Sequence, residues 1–201
     1  MRSLWLGLWA ASLVLLPAAP PLAADDSGSE AVVARLMTAV WSARIEPAPA
    51  ARQARLERAI EAATDLPLVS RLVLGRYWRR LDQDRQAAFQ TLFRTVVIGS
   101  LARRLDDYVK DLEGELESHF RLRGSHPVGD HDVIVQSRVR PAIGPSLAVD
   151  WRLRNGAIID LAVEGVSLLI SQRAEFTAVI ERRSIDGLLA ELRERAASAG
   201  G

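Results

Sequence analysis

The sequence contains no cysteine, which excludes structural disulfides, thiolate metal sites and a lipid-modified amino-terminal cysteine. The stability of the folded chain must therefore come from packing. If the chain is exported, its lack of disulfides is compatible with a bacterial periplasm, a compartment in which disulfides can form but are not required.

Excess charge of either sign is also missing. There are 26 basic and 25 acidic side chains, and 25 of the basic residues are arginine. A balance of this kind is not typical of a nucleic-acid-binding protein, so we expect no nucleic-acid partner. Arginines surround Tyr77–Trp78 and recur at Arg103–Arg104, which indicates a solvated surface or, alternatively, a group that holds phosphate through paired hydrogen bonds.

No hydrophobic run is long enough for a membrane span of about 20 residues. The longest one, Leu4 to Leu16, follows Arg2 and precedes a segment rich in proline and alanine that ends at Ala23–Ala24. This arrangement is typical of a secretory signal peptide, which we place at residues 1–24. We expect residues 25–201 to form a single domain in the periplasm.

Recognisable catalytic and metal-binding motifs are absent. The chain has three histidines, at positions 119, 126 and 131 (His119, His126 and His131), separated by seven and five residues. Neither spacing is typical of a pair of metal ligands on a helix or on a strand. The chain has no phosphate-binding loop, no dinucleotide glycine pattern and no nucleophile elbow. We therefore expect no catalytic residue, no metal and no cofactor.

Three carboxylates, Asp150, Asp160 and Glu164, lie on or beside a predicted hairpin and would serve as general bases if one were buried in a cavity. The alternation of the strands places Asp150 and Asp160 on the face opposite the apolar residues. We therefore expect these two to point to solvent or to pair with Arg152 and Arg154.

Apolar residues recur at helical spacing through the first half of the chain. Thr64–Asp65 is a predicted cap, Asp82 a predicted N-cap, and Gly99 is expected to bend or weaken the longest helix. The predicted helices span residues 32–44, 52–63, 66–75 and 82–110.

The pattern then changes to alternation, with Asn155–Gly156 predicting a type I′ turn between two strands. The predicted strands span about 116–123, 131–140 and the two arms of a hairpin at 146–163. Two apolar helical stripes follow, at 166–180 and 185–192. The fold class is therefore α+β: a helical amino-terminal half, whose long helix packs on a curved four-stranded antiparallel sheet, followed by carboxy-terminal helices.

The apolar faces of these helices and strands must meet, but pattern alone is compatible with a packed interior or with a lined cavity. If the apolar faces stand apart, they would enclose an internal apolar cavity, with one wall formed by the helices and the opposite wall by the sheet. On the helices the candidate lining residues are Leu72, Val73, Phe93, Val97, Leu101 and Leu105. On the sheet they are Val135, Val139, Val149, Trp151, Ile159, Leu161 and Val163. Val166 and Leu169 would close one end.

Two stretches carry a specific resemblance. The first is DLPLVSRLVLGRYW at 65–78 followed by RQAAFQTLF at 85–93, and the second is VEGVSL at 163–168 followed by QRAEF at 172–176. Together they resemble the MlaC family, also called the toluene-tolerance or auxiliary ABC-transport component family. The resemblance runs in order over a core of about residues 31–196. Ser100–Leu101 stands where members often have Thr-Tyr, which bears on the ligand more than on the fold.

The resemblance implies a periplasmic carrier that holds phospholipid acyl chains in an apolar cavity with the headgroup near the mouth. Relatives shuttle glycerophospholipid between an outer-membrane lipoprotein complex and an inner-membrane ABC transporter with an MCE-domain subunit. A related branch is associated with hopanoids. Trp78 and Tyr108, which are amphipathic, are our candidates for the headgroup end.

Two other classes of function remain open at this point. An enzyme with a cone-shaped α+β fold would need a cavity carboxylate or tyrosine with a shifted pKa. A periplasmic adaptor or chaperone would have a filled interior and an exposed apolar patch. The volume of the cavity distinguishes these alternatives.

Overall fold

The computed structural model describes residues 26–199, so the signal peptide expected at residues 1–24 lies outside the described residues. The helices are α1 (Asp26–Ala43), α2 (Pro49–Ala63), α3 (Leu66–Leu74), α4 (Gln83–Phe93), α5 (Gly99–Val109), α6 (Leu116–His119) and α7 (Leu168–Ala199). The strands are β1 (Phe120–Val128), β2 (Asp132–Val139), β3 (Leu147–Arg154), β4 (Ala157–Val163) and β5 (Val166–Ser167). Within residues 26–199, no helix is both long and apolar enough to cross a bilayer.

Side-chain caps begin two of the helices at the predicted positions. The carboxylate of Asp65 accepts a hydrogen bond from the backbone N–H of Leu68 at 2.9 Å, and Asp82 accepts one from Arg85 at 2.8 Å. Each carboxylate satisfies a backbone donor that has no partner inside its own helix. Both predicted N-caps are confirmed.

The long helix predicted at 82–110 is interrupted by one wider turn. A π-helical turn at Arg94–Ile98 separates α4 from α5, and Gly99 begins α5 directly after it. The carbonyl of Gly99 accepts a hydrogen bond from Nε2 of Gln53 on α2 at 3.0 Å, which holds this point of the helix against its neighbour. Turns of this type are rare in proteins, and those that occur are often found at functional sites.

The sheet is antiparallel, with the strands in the order β1-β2-β3-β4-β5. Asn155 and Gly156 both have positive φ, 51° and 74°, as the predicted type I′ turn requires. A second pair, Glu164 and Gly165 at 48° and 79°, turns β4 back into β5, a fifth strand that the sequence did not predict. Val166 accordingly begins in a strand and not in a helix.

One further boundary differs from the sequence predictions, and the break between the two carboxy-terminal helices agrees with them. The first strand begins at Phe120 and not at Leu116, because α6 forms a helical turn in which both the N–H and the hydroxyl of Ser118 donate to the carbonyl of Glu115. The two carboxy-terminal helices are confirmed: α7 breaks at Ser184, where φ is 67° and ψ is 175°.

The buried apolar residues form two separate clusters. The sheet core lies between one face of the sheet and helices α1, α2 and α5, and the helical core lies among α3, α4 and α7. Phe89, Phe93 and Phe176 occupy the centre of the helical core, with ring centroids 5.7 to 6.5 Å apart. Each core buries its own apolar surface, and the boundary between them is where a cavity forms.

Candidate functional site

A cavity of about 480 Å³ lies between the sheet core and the helical core. Its walls come from the end of α2, from α3, from the π-helical turn and start of α5, from β4, and from α7. Leu168, at the start of α7, lines the cavity and is also exposed to solvent, so the cavity opens at this side. The volume falls within the range of small-molecule binding pockets.

Helical spacing explains the α3 wall. Leu66, Val69 and Val73 are separated by three and four residues, so they form one stripe on α3 that faces the cavity. The π-helical turn contributes three consecutive residues, Val96, Val97 and Ile98. The sequence pattern predicted a helix over residues 66–75, but Leu66 and Val69 were not among the candidate lining residues.

A β-bulge explains the β4 wall. Leu153 pairs with Ile158 and Arg152 with Asp160, so Ile159 is an extra residue without a partner on β3. The regular alternation is therefore interrupted, and Ile158 and Ile159 are both buried although they are neighbours. Both line the cavity. Periodicity alone could not reveal an inserted residue.

The structure brings seven of the candidate lining residues together around this cavity. They are Val73, Phe93, Val97, Leu101, Ile159, Leu161 and Leu169. They come from α3, α4, the π-helical turn, α5, β4 and α7, segments far apart in the sequence.

The other candidates lie elsewhere. Val135, Val149 and Trp151 are buried inside the sheet core, and Leu105, Val139, Val163 and Tyr108 pack against it. Trp78 lies in the helical core against the edge of Phe89, Leu72 is half-buried outside the lining, and Val166 is 61% exposed.

The physical reason for this difference is that helices cover most of the inner face of the sheet. Nε1 of Trp151 donates to Oγ of Ser137 at 2.9 Å, and that hydroxyl donates to the carbonyl of Val149 at 3.0 Å. These buried hydrogen bonds hold the indole inside the packed core. Within the described part of the chain, β4 is the strand that reaches the cavity.

Tyr108 was a headgroup candidate, but its hydroxyl is enclosed. It has no hydrogen-bond partner among residues 28–198, and burial raises its pKa to about 12. The hydroxyl is therefore neutral across the physiological range.

Asp160 lines the cavity and has a structural role that the sequence analysis missed. Its carboxylate accepts hydrogen bonds from the backbone N–H of Leu161 at 2.7 Å, from that of Leu169 at 3.0 Å, and from the hydroxyl of Ser167. It therefore fixes the start of α7 over β4. The expectation that Asp160 points to solvent or pairs with Arg152 was wrong, because β5 folds α7 back over this strand.

The partner of Arg152 and Arg154 is Asp132, which is 3% exposed. Antiparallel register places Asp132 directly opposite Arg154, and Nε of each arginine lies 2.6 Å from the carboxylate. The hydrogen bonds from Arg154, and then those from Arg152, lower the pKa of Asp132. The residue was overlooked because the register of β2 and β3 is a tertiary property.

An ion-paired cluster lies on the α7 side of the cavity. Arg195 donates to Glu175 at 2.9 Å and to Glu191 at 2.5 Å, and the hydrogen bond to Glu175 raises the pKa of Arg195. Gln172 also donates to Glu175 at 3.1 Å. Among the side chains of residues 28–198, no group of three or more His, Asp or Glu is arranged to hold a metal.

Two comparisons with known proteins agree with this architecture. Residues 30–194 match the family described as MlaC protein. The fold also matches a solved structure, a phospholipid-binding protein from Ralstonia solanacearum in complex with a phospholipid, with a TM-score of 0.70 and 20% sequence identity. That match covers 88% of this chain and 98% of the other. At this identity, the similarity concerns the fold.

Proposed function

This chain belongs to the MlaC family, and from that premise we propose that it is a periplasmic carrier that binds phospholipid acyl chains. The observation that carries the proposal is the apolar cavity of about 480 Å³ between the two cores. The phospholipid bound to the structurally similar Ralstonia protein supports the same class of ligand. In the cell, lipid would pass between an outer-membrane lipoprotein complex and an inner-membrane ABC transporter with an MCE-domain subunit.

The energetics explain why a carrier is needed. Each methylene transferred from water to an apolar site gains about 0.8 kcal/mol, so a chain of about fifteen methylenes gains roughly 12 kcal/mol. Unassisted movement of such a chain through water is therefore rare. Release to an acceptor requires a state of the carrier with lower affinity, which widening of the cavity or docking would provide.

The volume limits how the lipid is held. If a methylene occupies about 30 Å³, the volume of one molecule in liquid water, a chain of about fifteen methylenes fills roughly 450 Å³. This is close to the volume of the cavity, about 480 Å³. We infer that the conformation described here accommodates one acyl chain, and that a second chain requires α3 and α7 to move apart.

The polar groups of the cavity support a carrier over an enzyme. Asp160 is used by the backbone of α7 and Glu175 by Arg195, so both cavity carboxylates already have partners. The proposal accordingly includes no chemical step. A chaperone was expected to have a filled interior, which agrees less well with the presence of this cavity.

The test is lipid capture. We expect phospholipid to co-purify with the protein and to be identified by mass spectrometry of an organic extract, and we expect the delipidated protein to take up labelled phospholipid. Val97→Trp, which fills the cavity, should weaken uptake at least tenfold.

Val166→Trp makes the same chemical change on an exposed strand residue outside the lining and should leave uptake unchanged. Urea unfolding of both variants checks that they are folded. Protein that carries no lipid and takes up none, or Val97→Trp with undiminished uptake, would contradict the proposal.

A further inference from the structure

The cavity is lined by four charged side chains, and one of them differs from the rest. Asp160 is held by backbone N–H groups, and Glu175 and Arg195 pair with each other. Arg104 on α5 also lines the cavity, but its guanidinium has no hydrogen bond or ion pair with any of residues 28–198.

The residues around Arg104 on α5 do not neutralise it. Asp106 pairs with Arg52 of α2, and Asp107 pairs with Lys110 at 2.8 Å. Arg103, its immediate neighbour, donates to the hydroxyl of Ser100 at 3.2 Å. The nearest acidic side chains of the same helix are therefore occupied by other cations, which leaves the guanidinium of Arg104 available to an anion.

The position of Arg104 suits the end of an amphiphile. Val97, Leu101 and Arg104 are separated by four and three residues, so they follow one another along the wall formed by the π-helical turn and α5. The first two are apolar and half-buried, whereas Arg104 is exposed. An acyl chain lying along Val97 and Leu101 would place its polar end at Arg104.

We propose that Arg104 binds the phosphate of the lipid headgroup and thereby selects phospholipid over uncharged lipid. This inference rests on the proposed function. A guanidinium presents two parallel N–H donors that match a phosphate, and such charge-assisted hydrogen bonds are stronger than neutral ones. An uncharged lipid with the same chains, or an uncharged polycyclic lipid, gains nothing from this group.

The test compares two arginine variants on the same helix. Arg104→Gln and Arg103→Gln remove the same charge from adjacent positions, but Arg103 lies outside the lining. Binding is measured for labelled diacyl phosphatidylglycerol and for diacylglycerol with identical chains. We expect Arg104→Gln to raise the Kd for phosphatidylglycerol about tenfold and to leave that for diacylglycerol unchanged. Arg103→Gln should affect neither, and Arg104→Lys should restore part of the affinity.

The other outcomes are distinct. If Arg104→Gln weakens the binding of both lipids equally, Arg104 acts on the shape of the cavity and not on the phosphate. If Arg104→Gln binds phosphatidylglycerol as tightly as Arg103→Gln does, Arg104 is not part of the binding site. Either result overturns the inference while the proposed function stands. If the unsubstituted protein binds neither lipid, the proposed function itself fails.

Glycerol phosphate, which lacks acyl chains, separates the two sources of phosphate. We expect it not to displace bound phosphatidylglycerol at concentrations far above that of the lipid, because the acyl chain supplies most of the binding free energy. Displacement that depends on Arg104 would instead indicate a site for free phosphate esters and would overturn the assignment to the headgroup.

Discussion

The sheet core and the helical core use their apolar residues differently. In the sheet core, strands β1 to β4 pair over most of their length, and the buried indole of Trp151 is hydrogen-bonded to Ser137. The helical core is organised around three aromatic rings and approaches the sheet through β4 and β5. The cavity lies where these two well-packed regions meet incompletely. In this protein, open volume therefore arises at the boundary between two cores and not within either core.

The largest expected difference between the sheet core and the cavity wall is in the free energy of unfolding of two leucine variants. Leu56 is fully buried in the sheet core, whereas Leu101 is half-buried and lines the cavity. Leu56→Ala should lower the free energy of unfolding by about 2 to 5 kcal/mol, because it leaves a new void in close packing. Leu101→Ala enlarges a space that already exists, so we expect a loss below about 1.5 kcal/mol. Urea unfolding of the lipid-free protein measures both.

The two leucine variants should also separate in lipid uptake. Leu101→Ala alters affinity for labelled lipid directly, while Leu56→Ala should reduce uptake only in proportion to unfolded protein. Equal losses of stability in the two variants would contradict the distinction between core and boundary.

The next effect tests how the sheet is held. Asp132→Asn removes the buried anion that pairs with Arg152 and Arg154, and we expect a loss of about 2 kcal/mol at pH 7. The pKa of this carboxyl is lowered in the folded protein, so its stabilisation is fully present above its ordinary value of 3.8. That stabilisation is lost as the pH falls through the lowered pKa. In urea titrations, the difference in free energy of unfolding between Asp132→Asn and the unsubstituted protein should therefore shrink below pH 3.8. A difference that does not depend on pH would contradict a stabilising role for the ionised carboxylate.

The smallest effect concerns the break in α7, the helix that packs in the helical core. Ser184 breaks α7 with φ of 67° and ψ of 175°, a region of backbone conformation that glycine occupies far more readily than serine. Ser184→Gly should therefore raise the free energy of unfolding by about 1 kcal/mol. The hydroxyl of Ser184 accepts a hydrogen bond from Gly187 at 3.4 Å, which is long and should offset little of the gain. A shift of the thermal midpoint to lower temperature would show that this contact matters more than the backbone.

Features that depend on neighbours in the chain could be predicted well. Asn155–Gly156 indicated its turn because both residues tolerate positive φ, and Asp65 and Asp82 indicated helix starts because their carboxylates reach nearby N–H groups. The π-helical turn was not predicted and fell inside a continuous predicted helix, since one extra residue in a turn hardly changes an apolar stripe. The strand β5 was missed because two residues are too few to show alternation.

The candidate site was predictable in part, and the reason is physical. Side-chain chemistry along the chain determined which faces of α3, α5 and β4 are apolar, and seven of the candidate residues do line the cavity. Whether an apolar face meets another face or an open space depends on distances between distant segments, which local patterns do not contain. The tertiary structure alone decided that helices cover Val135, Val149 and Trp151, that a bulge buries Ile158 beside Ile159, and that Arg104 has no carboxylate partner in the described chain. Hydrophobic burial is non-directional, so the same apolar residues satisfy it in either arrangement, and shape determines which of them remain available to a ligand.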